Sequence, residues 1–284
     1  MSLHNTLLLP ETTLTQLPDK NNNIHHADIV VTHKCSLTCK HCVDRYVVHD
    51  KTTNPPVVQL KDVYLFLTLL KHHVESRDLT VLLLGGEPTS APLTYLYALI
   101  GMLKGFGFKA SISTNGVDRD KVRALLSNTD INWVQLTAHG CNTDREYDFY
   151  FPFYNRINMK FPITTGTTLD MINHVRDYEV WRWGRISFVV YFNNDTGEDL
   201  CTDPEVLAYL KTLKWERVGS YLYAFDDRGI RYKRGIPGET NIIDEPDIPK
   251  LYPSGVYNKT WCNEDSDPYL GDMASILKGY PELE

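Results

Sequence analysis

Between residues 28 and 214, short runs of consecutive apolar residues alternate with longer stretches in which apolar and polar residues mix. Short apolar runs mark strands buried on both faces, and the longer mixed stretches mark helices. The pattern predicts strands at "DIVVTH" (28–33), "LTVLLL" (79–84), "FKASIS" (108–113), "INWVQLTA" (131–138), "FPITTGTTL" (161–169) and "RISFVVYF" (185–192). Helices are predicted at 57–75, at 92–107 (opening with proline and closing with glycines), at 118–128 and at 203–214. Looser helical stretches fill the region to about residue 158 and from the fifth strand to residue 183.

Strands alternating with helices of this length form parallel βα units joined by right-handed crossovers. About six units fit, fewer than the eight of a closed barrel. The expected fold is α/β: a partial (β/α)6 TIM-like barrel over residues 28–224. An N-terminal extension (1–27) precedes it, and a C-terminal appendage (225–284) follows.

Parallel folds gather function at the C-terminal ends of their strands. There the sequence places Cys35, Cys39 and Cys42, then "GGEPT" (85–89), "STNG" (113–116), "TAHG" (137–140), "TTGTT" (164–168) and "YFNND" (191–195). Each is polar or carries glycine.

Composition narrows the class. The chain is 42% hydrophobic and 23% charged, with no apolar run approaching a membrane span. The N-terminus lacks the features of a secretory signal, so a cytoplasmic location is expected. Residues 239–284 hold ten acidic and three basic side chains, a balance of −7, which is the whole net charge. The remainder is neutral, which gives no support for nucleic-acid binding. Ile242, Ile243, Leu251, Tyr252 and Trp261 lie in the same acidic segment. The appendage is therefore expected to pack on the barrel and wall its cavity.

Three readings exist for "CSLTCKHC" (35–42). A disulfide cluster is the weakest, because cytosolic thiols stay reduced. Zinc usually closes on two separated ligand pairs; His33 or His41 could complete such a site, but no second pair exists. A [4Fe–4S] cluster is normally held by four thiolates, and three from one loop leave one iron open. Cys141, Cys201 and Cys262 are scattered singly and read as free thiols.

"CSLTCKHC" resembles the C-x-x-x-C-x-x-C signature of the radical S-adenosylmethionine (radical SAM) enzymes, with His41 at the aromatic-type position before the last cysteine. "GGEPT" is similar to that superfamily's glycine-rich turn, and "STNG" to a frequent third-strand ending. The resemblance covers roughly residues 27–195. It implies metal ligation by Cys35, Cys39 and Cys42, and S-adenosylmethionine (SAM) bound at the fourth iron. It also implies cleavage of SAM to a 5′-deoxyadenosyl radical that abstracts hydrogen from a substrate, with the hard chemistry carried by the cofactor.

The same resemblance distributes the cofactor contacts. Gly85, Gly86 and Glu87 fall to the methionine end, the glycines admitting close approach and the carboxylate meeting the ammonium. Ser113, Thr114 and Asn115 fall to the carboxylate or ribose, Thr137 and His139 to the ribose, and Tyr191 and Asn193 to the adenine. His139 is also a weak candidate for a catalytic base. Lys34, Lys40 and Arg45 surround the cluster loop and suit an acidic electron donor such as flavodoxin or ferredoxin.

The appendage departs from many peptide-modifying relatives in lacking a cysteine-rich auxiliary-cluster extension. A peptide or amino-acid substrate is marginally favoured by the "GGEPT…STNG" core, over a nucleoside or other small metabolite. Either outcome makes an oxidoreductase or transferase. A non-catalytic metal or iron–sulfur binding module is the alternative of a different class. "DDRGIRYKRG" (226–235) reads as an exposed hairpin or loop, or as a basic clamp for a phosphate, carboxylate or acidic peptide.

Overall fold

The computed structural model describes residues 26–37, 39, 42, 57–73, 79–128, 130–138, 148–179, 185–192, 198–218, 221–235, 250–253 and 257–258. Six parallel strands form its centre: β1 (His26–Thr32), β2 (Thr80–Gly85), β3 (Lys109–Thr114), β4 (Ile131–Thr137), β5 (Ile157–Ile163) and β6 (Arg185–Val190). Helices α1 (Leu60–His73), α2 (Leu93–Gly105), α3 (Arg119–Asn128), α4 (Leu169–His174) and α5 (Pro204–Thr212) alternate with them. This is the partial TIM-like barrel that the alternating pattern predicts.

Alternation along each strand divides two faces. Ile29, Val81, Leu83, Ala110, Ile112, Val134, Leu136, Met159, Phe161 and Phe188 are buried in one core with Phe66, Leu67, Leu96, Leu99 and Val122 of the helices. The opposite face lines the barrel interior. Asp203 caps α5, accepting from the N–H groups of Glu205 and Val206, and Pro204 opens its first turn.

β5 starts four residues before the predicted run. Its register follows Ile157, Met159, Phe161 and Ile163, all buried, whereas the threonines beyond belong to a turn and to the cap of α4. Thr168 Oγ1 accepts from the Met171 N–H at 3.3 Å, so that stretch satisfies a helix start rather than a sheet edge.

Beyond α5 the chain adds β7 (Glu216–Val218), β8 (Tyr221–Phe225) and β9 (Arg231–Gly235). Of the two readings of 226–235, hairpin or loop, the hairpin holds: the segment is the turn and second strand of a hairpin with β8. After a turn at Asp226–Ile230, β9 enters the sheet between β6 and β8, parallel to β6 and antiparallel to β8. Buried Asp226 fixes that turn. Its Oδ1 accepts from the N–H groups of Arg228 and Ile230, and its Oδ2 accepts from Arg176 Nε at 2.8 Å.

On the far side, β10 (Lys250–Leu251) pairs in parallel with β1, and β11 (Tyr257–Asn258) pairs with β10. Leu251 and Tyr252 are buried, Tyr252 against Val30 and Leu84 and stacked on His33. This part of the C-terminal segment thus covers the β1 edge, as an open sheet requires. Ile242, Ile243 and Trp261 lie outside the described residues. No described helix is long and apolar enough to cross a membrane.

Candidate functional site

Three strand exits converge at one end of the barrel. The loop leaving β1 is fastened to the turn leaving β2 by two backbone bonds: Gly86 N–H donates to the Thr32 carbonyl and Glu87 N–H to the Lys34 carbonyl, each at 2.8 Å. Gly85 has φ +130, and a Cβ there would stand 2.3 Å from the Thr32 oxygen. A Cβ on Gly86 would stand 2.4 Å from the His33 oxygen and 2.6 Å from that of Lys34. These neighbours are backbone and cannot rotate away. Both glycines are therefore required by the approach of the cysteine loop itself.

Glu87 ties the second exit to the third. It is 4% exposed. Its Oε1 accepts from the Thr89 N–H at 3.1 Å, the Thr89 hydroxyl at 2.7 Å and the Thr114 hydroxyl at 2.6 Å; its Oε2 accepts from the Asn115 N–H at 2.7 Å. Four donors are what an ionised carboxylate needs to remain buried. Thr89 closes the "GGEPT" motif, and a hydroxyl two residues after a buried acid is well placed to cap it.

Asn115 completes the link. Its backbone donates to Glu87, its Oδ1 accepts from the Val117 N–H at 2.9 Å, and its Nδ2 lies 3.8 Å from Cys35 Sγ. Gly116 follows at φ +71, where a Cβ would strike Leu136 at 2.4 Å. "GGEPT" and "STNG" are thus two halves of one scaffold under the cysteine loop.

Cys35, Cys39 and Cys42 are half-buried and form no disulfide among the described residues. Leu37 N–H donates to Cys35 Sγ at 3.4 Å, and Cys42 N–H to the Cys39 carbonyl at 3.1 Å. Burial pushes the Cys35 thiol above its ordinary range, and the Glu87 carboxylate adds to the shift. Burial followed by neighbouring Cys35 does the same to Cys39. Thiols are held as stable thiolates when a cationic centre binds them, because coordination deprotonates a thiol outright. Among the described residues, no three His, Cys, Asp or Glu side chains converge on a single metal ion. The donor set fits an iron–sulfur cluster, where each thiolate takes its own iron, better than mononuclear zinc.

Ser113 and Thr137 are half-buried on the interior face, opposite Gln135 and Lys160 respectively. Thr114 turns toward Glu87. Tyr191 follows β6 at the same barrel end; burial, with Cys39 and Cys42 nearby, pushes its phenol up to about 12. His139, Asn193, His41, Lys40, Arg45, Cys141 and Cys262 lie outside the described residues. Cys201 is buried and donates to the Thr167 carbonyl at 3.8 Å, a core thiol away from the cysteine loop's sequence.

The basic clamp read in 226–235 includes Arg231 and Lys233 of β9, whereas no motif marks the interior of β5 and β6. Lys160, Ser187 and Arg231 occupy adjacent positions across those strands, with Lys233 two residues along β9. The signal lay in the alternation, since Phe161, Phe188 and Tyr232 take the helix side and leave their neighbours to the interior.

A parallel βα barrel with a three-cysteine loop braced by a glycine–glycine–glutamate turn defines an iron–sulfur class of site. The Radical SAM superfamily profile matches residues 29–203. The chain belongs to the radical SAM superfamily. The cofactors of that superfamily are a [4Fe–4S] cluster and SAM.

Among solved structures, it is similar to Streptococcus suis SuiB bound to S-adenosylmethionine. The identity is 15% and the TM-score 0.56, over 86% of this chain and 62% of that one. Native anSMEcpe with bound AdoMet is similar at 13% identity and TM-score 0.56, over 89% of this chain and 80% of that one. These likenesses are of fold. The chain spans about three fifths of the SuiB chain. No curated protein matches the sequence.

Proposed function

We propose that Cys35, Cys39 and Cys42 hold the [4Fe–4S] cluster, and that the barrel mouth above them modifies a peptide or an amino-acid residue. The observation that carries the first part is the bonded chain Cys35–Asn115–Glu87, which joins all three superfamily motifs. When bound, the cluster supplies the electron that splits SAM into methionine and a 5′-deoxyadenosyl radical.

The chain's own residues do the rest. The Glu87 carboxylate holds the second and third strand exits in register, and Asn115 presents an amide to the Cys35 sulfur. Ser113 and Thr137 offer hydroxyls on the interior face beside the mouth, where a SAM carboxylate or ribose would need partners. Tyr191, half-buried beside the cysteine loop, helps to keep water from that region. His139 and Asn193 remain assigned to the cofactor by resemblance, His139 with a proton-transfer role as the alternative. Exposed Lys34 begins the loop, and with Lys40 and Arg45 it suits docking of an acidic donor of the flavodoxin or ferredoxin kind.

Two features support a peptide. The "GGEPT…STNG" core resembles the peptide-modifying branch. Among the described residues β7 is also a terminal strand of the sheet, and an edge strand can receive an extended chain by main-chain pairing. The test is to incubate the anaerobically reconstituted enzyme with SAM, reductant and separate peptide, amino-acid and nucleoside libraries. Acceleration of 5′-deoxyadenosine formation by peptides alone supports the reading; acceleration by nucleosides alone overturns it.

A further inference from the structure

We propose that Tyr252, in the C-terminal segment, is a positioning residue for the cysteine loop: it holds His33 by its ring and so fixes the path into Cys35. The proposal rests on the reading above only for the cluster that Cys35 ligates.

Strand register places Tyr252. β10 runs parallel to β1, with Lys250 opposite Asp28 and Leu251 opposite Ile29. Leu251 and Ile29, both fully buried, join the core under the helices. Alternation sends Lys250 and Tyr252 to the other face. There the buried Lys250 brings its Nζ to 3.7 Å from Oδ2 of the fully buried Asp28. A slip of one residue would separate these two buried charges, so the pair fixes register more than it adds stability. Because the strands are parallel, Tyr252 then lies toward the end of β1 where the cysteine loop begins.

That end of β1 is bent. Its pairing with β2 shifts register between Val30 and Thr32, and the Val31 carbonyl accepts from the Val58 N–H at 2.9 Å. Such a shift re-aims the chain that follows. His33, the first residue beyond the strand, is 5% exposed. Its carbonyl stands where a Cβ on Gly86 would be, and its ring stacks on Tyr252 with centroids 6.4 Å apart and planes 22° apart. Tyr252 also packs on Val30 and Leu84. Val30 precedes the shift and His33 follows it, so one ring spans the bend.

Two residues further on, the Cys35 sulfur accepts from the Leu37 N–H at 3.4 Å and lies 3.8 Å from the Asn115 amide. Both contacts depend on where the root of the loop stands. The Gly85–Gly86 turn holds that root by its backbone, and Tyr252 holds it by a side chain from the far end of the chain. The C-terminal segment thereby becomes part of the cluster site as well as cover for the β1 edge.

The test uses the full chain as Tyr252→Phe, Tyr252→Leu and, as a control for lost packing elsewhere, Leu99→Ala in the core of α2. In reconstituted protein, release of iron to a chelator should be roughly two- to tenfold faster for Tyr252→Leu, which keeps an apolar side chain but loses the ring. Tyr252→Phe keeps the ring and should match the parent. In the full chain without its cluster, alkylation of Cys35 is followed by mass spectrometry, with buried Cys201 as the internal reference. Tyr252→Leu should speed alkylation of Cys35 by a similar factor and leave Cys201 unchanged. Leu99→Ala should lower the melting temperature yet leave the ratio of the two rates where it is. Equal Cys35 rates in Tyr252→Leu and the parent, a parallel rise at Cys201, or a Tyr252→Phe protein as fast as Tyr252→Leu would overturn the proposal. A parent that takes up no iron and sulfide would refute the cluster assignment, and the alkylation rates would still decide the role of Tyr252.

Discussion

The side-chain amide of Asn115 lies 3.8 Å from the sulfur of Cys35, a residue 80 positions earlier in the chain. The backbone N–H of Asn115 is held by Glu87 at 2.7 Å. A donor aimed at a cluster sulfur stabilises the more anionic, reduced state. Asn115→Ala should therefore still bind iron and sulfide but lower the cluster's midpoint potential, on the order of tens of millivolts. A redox titration followed by electron paramagnetic resonance checks this. An unchanged potential would make Asn115 a turn residue only.

Glu87 is expected to matter for stability before catalysis. Glu87→Ala strands the Thr114 hydroxyl and the N–H groups of Thr89 and Asn115 in a buried place. The loss should be about 2–5 kcal/mol by urea denaturation. Glu87→Gln, which keeps the shape but can accept at only one oxygen, should lose less. A Glu87→Ala protein as stable as its parent would contradict the bracing role.

Two glycines make a paired test. Gly86→Ala forces a Cβ against the carbonyls of His33 and Lys34, so the cysteine loop must shift and iron incorporation should fall sharply. Gly101, within α2, has nothing within 4 Å of its Cβ position. Gly101→Ala should raise stability by about 0.5–1 kcal/mol and leave iron content intact. Iron analysis and thermal melts of both variants decide the point, and similar behaviour of the two would count against the packing argument.

Lys160 gives a pH dependence whose sign is fixed. Its amine titrates near 7 in the fold, against 10.5 for an unperturbed lysine. Between those values the unfolded chain binds the extra proton, so this residue's contribution to stability rises with pH across the window. Below about 7 the charged amine opposes folding in full. The melting temperature of Lys160→Met minus that of the parent should be positive near pH 6 and shrink toward pH 10. A difference that does not vary with pH would contradict this environment for Lys160.

Much of this was legible in the sequence because the physics was local. Buried parallel strands such as "TVLLL" leave an apolar run, and a cluster loop leaves cysteines at fixed spacing. The Gly85–Gly86 pair was visible as well, but its cause was not. The clash that demands glycine is with Thr32, His33 and Lys34, more than fifty residues away, and only the fold reveals it. The same holds for Glu87, whose four donors come from two strand exits. β9 was legible only as an arm of a hairpin, because "RYKRG" mixes charge into a strand, and its charges make sense only once one face is seen to meet the interior. His139 and Asn193, outside the described residues, rest on resemblance alone.

The central claim is that Cys35, Cys39 and Cys42 hold the cluster that cleaves SAM, and formation of 5′-deoxyadenosine is its most direct measure. Anaerobically reconstituted protein, given SAM and a strong reductant, should produce 5′-deoxyadenosine and methionine in equal amounts, slowly without substrate. Cys35→Ala, Cys39→Ala and Cys42→Ala should each abolish it, whereas Cys201→Ala, Cys141→Ala and Cys262→Ala should retain it. Continued 5′-deoxyadenosine formation by any of the first three variants, or none from an iron-loaded parent, would contradict the account.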